Sequence, residues 1–190
     1  FIFNSPSIAL IEVDITRGNL DPLPIAISPL YVEPDSKEIK QNDKIIKNIG
    51  EEISKVIEVN FRRSGLFNPL KKDSFVQKPD IAHIKPRFED WRLIKSQALV
   101  TGKVKVTDDK LRAEFRLWDV IAAKEMVALA FSTTPDNWRR VAHIISDKIY
   151  QRLTGEKGYF DTRIIYVSET GAKTKRIKKL AIMDQDGANT

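Results

Sequence analysis

The chain has no cysteine, which excludes disulfides, thiolate nucleophiles and thiolate-rich metal sites while leaving either redox compartment open. Its two histidines, His83 and His143, lie far apart and have no second ligand at helical spacing. His143 sits beside an apolar helical stripe, the place of a helix-surface or boundary residue rather than of a base. No apolar run is long enough to cross a membrane. A phosphate loop is missing too: around Thr101-Gly102-Lys103, Gln97 stands where the first glycine belongs and Val104 where a hydroxyl belongs. No serine sits in a nucleophile elbow. The acidic pairs Asp108-Asp109 and Glu51-Glu52 fall in a turn and on a helix, where solvated faces account for them. Nothing here assembles catalytic chemistry or a cofactor site, so the chain reads as a non-enzyme.

What is present is a globular composition, 42% hydrophobic and 31% charged over 190 residues, enough for one well-buried domain and an appendage. The net charge of +6 owes much to Lys173–Lys179 (KTKRIKK), a mixed balance that argues only weakly for nucleic acid.

Periodicity organises the rest. Leu10–Ile15 (LIEVDI) alternates as an edge or half-buried strand would, and Thr16–Pro22 is a turn cluster. Leu23–Val32 is apolar on both faces and predicts an inner strand, with Pro24 and Pro29 pushing its ends toward an edge or bulge. After Pro34, Asp35 and Ser36, the recurrence of Ile45, Ile49, Ile53, Val56, Ile57 and Phe61 predicts an amphipathic helix of about seven turns at most. Gly65 ends it, and Phe67 and Leu70 lie in a loop that folds its ring back onto the helix. Ile81–Ile84 predicts a short strand, and Pro86 opens a second helix carrying Trp91 and Ile94. Ala98–Val106, Leu111–Val120 and Glu125–Ser132 predict an antiparallel meander. Asp136 caps a last helix whose stripe is Trp138, Val141, Ala142, Ile145, Ile149 and Leu153, closed by Gly155. Trp91, Trp118 and Trp138 suit core packing better than base stacking. The sum is an α+β domain ending near Gly155, with its helices on one sheet face.

Beyond it, Gly155–Asp161 predicts a linker into two strands, Thr162–Ser168 and Arg176–Met183, that have no third strand to join. Asp184, Asp186 and Gly187 resemble the start of a calcium loop, but the glycine comes too early and no closing glutamate follows, so a plain turn is expected. The chain reads as a domain followed by the opening strands of a larger β structure.

Two stretches carry a family resemblance. Arg62–Leu70 (RRSGLFNPL) and Leu153–Gly171 (LTGEKGYFDTRIIYVSETG) resemble signature segments of the TolB family, the periplasmic component of the Tol-Pal envelope system. The first matches at Ser64, Gly65, Phe67, Pro69 and Leu70; the second at Leu153, Thr154, Gly155, Lys157, Gly158, Phe160, Thr162, Arg163, Ile164, Tyr166 and Val167. The resemblance implies a small mixed-sheet domain with two long helices, similar to anticodon-binding domains, followed by an incomplete blade of a β-propeller. It implies residues 1–9 as a signal-peptide remnant cut after Ala9, 10–22 as a partner-binding segment, 23–155 as the domain, and 156–190 as linker and first propeller strands. The implied function is a non-enzymatic periplasmic scaffold supporting outer-membrane integrity and constriction at cell division. Its N-terminal segment would bind the C-terminal domain of TolA, and its propeller, absent here, the lipoprotein Pal.

The TolA-binding segment falls on Leu10, Ile11, Glu12, Val13, Asp14, Ile15, Thr16, Arg17 and Gly18. Apolar character is kept at Ile11, Val13 and Ile15, whereas Glu12, Asp14 and Thr16 differ from better-known members. An alternating, proline-free segment can add as a strand to a partner's sheet edge; it can equally be this domain's own edge strand. A nucleic-acid-binding module, suggested by the pI near 9.4 and the anticodon-binding-like architecture, is the alternative function, and steep salt dependence would betray it.

Overall fold

The computed structural model describes residues 11, 13, 21–41 and 44–190. The proposed leader, residues 1–9, and most of the Leu10–Gly18 segment lie outside the described residues.

The run 23–32 forms two strands rather than one, β1 (Leu23–Ile27) and β2 (Tyr31–Val32), both parallel to the same neighbour, β6 (Ala98–Val106). The break falls at Pro29, which cannot donate to a ladder. Leu30 turns out of line there, its N–H donating to the Gly50 carbonyl at 3.2 Å. A Cβ on Gly50 would meet the Leu30 carbonyl oxygen at 1.9 Å, so only glycine allows the approach.

The first long helix is shorter than its periodicity suggested. Residues 39–46 make a small antiparallel hairpin of β3 (Ile39–Gln41) and β4 (Lys44–Ile46), and α1 runs only over Ile49–Ser64. Asn48 marks the start: its Oδ1 accepts the Glu51 amide at 3.2 Å as a side-chain N-cap. Ile45, expected on the helix stripe, is half exposed in β4, while Ile49, Ile53, Val56, Ile57 and Phe61 are buried as expected. Gly65 closes α1 in the left-handed conformation.

Phe67 does stack on Phe61, with centroids 4.8 Å apart, yet it belongs to a strand, β5 (Phe67–Pro69), parallel to β1. Residues 81–84 are not a strand: α2 (Pro79–Ala82) occupies that place, opened by proline at its first position. It is followed by α3 (Phe88–Leu93), which buries Trp91. β6, β7 (Leu111–Asp119) and β8 (Lys124–Thr133) form the expected antiparallel meander. The sheet order is β5-β1-β6-β7-β8, with β2 also on β6: parallel on one side, antiparallel on the other.

Asp136 lies in a 3-10 turn, and α4 (Trp138–Thr154) starts after Asn137 without a side-chain cap. α1 and α4 cover one sheet face. Helices were expected on one face alone, but the other is covered too: α2 and α3 close a second, smaller core of Ala26, Ala82, Trp91, Leu99 and Val120. Two alternating faces on β6 explain how one sheet supports both cores.

Residues 155–161 do not behave as a loose linker. The Asp147 carboxylate accepts the Phe160 amide at 2.7 Å and the Asp161 amide at 3.1 Å, and the Phe160 ring is buried against Phe61 and Tyr150. A Cβ on Gly158 would approach the Asp147 Cα to 2.5 Å. Beyond this anchor, β9 (Arg163–Thr170) and β10 (Ile177–Asp184) pair with each other alone among the described residues.

Candidate functional site

Two places tie the peripheral parts of the chain to the core, one for each end. At the N-terminal place, Ile11 and Val13 are described, and neither is in a strand of the domain's sheet. Both pack against the main core. The Val13 amide donates to the Leu153 carbonyl at 2.7 Å. That oxygen is one of the last four helix carbonyls, which have no partner inside a helix. The Ile11 amide donates to Asp119 Oδ2 at 3.1 Å, while Asp119 Oδ1 accepts the Ala122 amide at 2.8 Å. Asp119 is buried at the inward end of β7, following Leu111, Ala113, Phe115 and Leu117 on the same face. A buried carboxylate requires donors, and main-chain amides supply both of these. The remaining predicted residues of this segment, Leu10, Glu12, Asp14, Ile15, Thr16, Arg17 and Gly18, lie outside the described residues.

At the C-terminal place, the turn after β10 docks on α1 and α4. The Gln185 amide nitrogen Nε2 donates to Asn60 Oδ1 at 2.9 Å, and Arg63 Nη2 donates to the Gln185 carbonyl at 3.1 Å. Arg139 donates to Asp186 Oδ2, and Asp186 Oδ1 accepts the Ala188 amide at 3.2 Å. Burial opposes the charge on Asp186, but Arg139 and the Ala188 amide outweigh it and hold the carboxyl below its ordinary value. His143, expected at the helix surface or boundary, is buried in this contact, its Nε2 3.7 Å from Asp186 Oδ2. The turn is thus a turn, as expected, but not an exposed one.

His143, Asp184 and Asp186 place ligand atoms within 4.8 Å of one another. The two carboxylates are already engaged: Arg139 and the Ala188 amide hold Asp186, and Asn189 Nδ2 donates to Asp184 Oδ2 at 2.6 Å. A guanidinium on the shared carboxylate makes this an ion-pair network rather than a cation site.

Neither place was predicted as a whole. A signal for the first existed in Asp119, a carboxylate at an inward position of a strictly alternating strand. A signal for the second existed in Asn60 and Ser146, polar residues on the apolar stripes of α1 and α4. The basic stretch 173–179 offers no groove: Arg176 and Lys178 both pair with Glu169, at 2.6 and 3.0 Å, on the exposed hairpin.

Comparison with known proteins adds the following. The family model described as "TolB amino-terminal domain" matches residues 11–126. A protein of Pelagibacter ubique (strain HTCC1062) described as "Tol-Pal system protein TolB" is 72% identical over 183 residues, covering 95% of this chain and 41% of that protein. The chain therefore spans about two fifths of that relative's length. The crystal structure of TolB from Acinetobacter baumannii superposes with a TM-score of 0.68 at 26% identity, over 95% of this chain and 40% of that one.

Proposed function

The chain belongs to the TolB family, and from that membership we propose that it is the amino-terminal interaction domain of a periplasmic, non-enzymatic Tol-Pal scaffold whose segment Leu10–Gly18 captures the C-terminal domain of TolA. On this reading residues 10–22 are the binding segment, 23–155 the domain, similar to anticodon-binding domains, and 156–190 the approach to a β-propeller with its first two strands. The exposed apolar side chains Ile165, Val167, Ile177 and Leu180 on an isolated two-stranded sheet support the last assignment, since such a hairpin is marginal unless further strands cover it. Pal would be bound by the propeller outside this chain, and the scaffold would support outer-membrane integrity and division.

The observation that carries the proposal is the way Ile11 and Val13 are held. Among the described residues their polar contacts are made by main-chain amides, and those are the groups a strand uses when it adds to another sheet. Docking and capture then compete for the same N–H donors, so a partner binds the fraction of molecules in which the segment is free. If the propeller helps hold the segment and Pal binding frees it, a chain without the propeller presents it more readily.

Calorimetry with the TolA C-terminal domain tests this on the chain begun at Leu10 beside the chain begun at Leu23. Binding to the first alone is expected. Equal binding to both moves the site into the folded domain, and binding to neither removes the proposed function.

A further inference from the structure

The contact between the Asp184–Asn189 turn and the two long helices contains a titratable group that the proposed TolA capture does not use. Every polar atom around it has an assignable direction. Ser146 Oγ donates to the Ala142 carbonyl at 2.9 Å, so its one hydroxyl proton is committed, and Asn60 Nδ2 must be the donor in their 2.9 Å contact. That sets the Asn60 amide: Nδ2 also donates to His143 Nδ1 at 3.0 Å, and Oδ1 accepts from Gln185 Nε2. His143 Nδ1 is therefore an acceptor and its single proton sits on Nε2, which is buried without a hydrogen-bond partner and aimed at Asp186 Oδ2.

A second proton on the ring has nowhere to go. It would sit on Nδ1, facing the Asn60 N–H, and Asn60 can turn over only by unmaking the arrangement it holds with Ser146 and Gln185 together. Gln185 is one of the residues that dock the turn, so the fate of that proton is coupled to the hold on the hairpin. We propose that the Asp184–Asn189 turn is a pH-gated latch, which holds the C-terminal hairpin against α1 and α4 while His143 is neutral and releases it when His143 becomes doubly protonated.

The charges around the ring come from every element packed on it. On α4 stands Arg139; from β10 and the turn come Asp184 and Asp186; from the segment before β9 comes Asp161, which Arg140 holds at 3.1 Å; α1 contributes the uncharged Asn60, with Arg63 on the Gln185 carbonyl. Burial, as the largest influence, pushes the imidazole below its ordinary value of 6.5, Asp186 opposes this, Arg139 reinforces it, and Asp184 and Asp161 oppose it more weakly. With the docked value depressed, the contribution of the neutral ring is fully present above the ordinary value of 6.5 and is lost as pH falls through the docked value. The latch thus opens on acidification. The contact between Arg139 and Asp186 keeps the turn near its seat and gives the released state a short way back.

The native absence of cysteine makes the test simple. Dyes placed through Lys148→Cys on the exposed side of α4 and Lys173→Cys at the hairpin tip report their separation by energy transfer in the 190-residue chain. At pH 7.5 one narrow distance is expected. At pH 5 the released fraction should rise about tenfold. His143→Asn, whose Oδ1 can accept from Asn60 as Nδ1 does, should keep the narrow distance at both pH values. The His143 ring, followed by NMR in the unsubstituted chain, should titrate below 6.5 with the same midpoint as the release, a readout that survives if the variant folds poorly. A wild-type distance unchanged between the two pH values, a pH response retained in His143→Asn, or a ring midpoint above 6.5 would overturn the latch.

Discussion

The two ends of the chain are fastened to the same domain by different chemistry. Ile11 and Val13 are held by their own amides, to a helix-terminal carbonyl and to a carboxylate at a strand end. The C-terminal turn is held by side chains, Asn60, Arg63 and Arg139 on the helices against Gln185 and Asp186 on the turn, with His143 buried between. Main-chain anchoring is tolerant of sequence and offers any competing strand edge the donors it needs. Side-chain anchoring is specific in register and sensitive to charge. The first is suited to a segment that leaves for a partner, the second to a junction that must reform in one register.

The largest effect on this comparison should come from Asp186→Ala. It removes the partner of a largely buried guanidinium and a charge-assisted hydrogen bond, weakening the docked turn by about 2–3 kcal/mol. The contacts between Asn60 and Gln185 should vanish from NMR spectra while the β6–β7 amides keep their protection. Asp119→Asn should act next, and on the other end alone. The local contact to Ala122 retains the remaining oxygen, so the Ile11 amide faces an N–H and the segment is released by about 1–2 kcal/mol. The Val13 amide then exchanges faster with solvent, with the C-terminal turn unaffected.

Much of this molecule was legible in advance. Helical and alternating periodicities, with glycine at both helix ends, gave α4 and the meander within a residue or two, and gave the stripe of α1. The start of α1 was misplaced because Ile45 continues the helical spacing while Asn48 interrupts it with a cap, and capping chemistry outranks one more apolar residue. Residues 81–84 read as a strand because four residues are too few to separate the two periods. The fastenings were the least legible. Asp119, Asn60 and Ser146 are each a polar residue in an apolar pattern, but their partners lie far away in sequence, Ile11 for Asp119, His143 and Gln185 for Asn60, and Asn60 for Ser146, and nothing local names them.

Lowering the pH from 7.5 to 5 sharpens the contrast. The C-terminal turn should loosen as His143 gains its proton, whereas the Val13–Leu153 contact, made by two backbone groups, has no side chain to titrate. Site-resolved hydrogen exchange at the Val13 amide, corrected for intrinsic rates, should stay level across that range. The smallest effect is expected from Arg63→Ala. Its contact with the Gln185 carbonyl is exposed and should contribute no more than about 0.5 kcal/mol, visible as a slight rise in the released fraction at neutral pH.

The central claim is that docking and capture compete for the amides of Ile11 and Val13. It is tested most directly by titrating the TolA C-terminal domain into the Leu10-initiated chain and its Asp119→Asn variant by calorimetry. Loosening the dock by about 1–2 kcal/mol should tighten capture by about five- to thirtyfold where the docked state prevails. An affinity that is unchanged or weaker in the variant would mean that Asp119 does not hold the segment back from its partner, and would contradict the account.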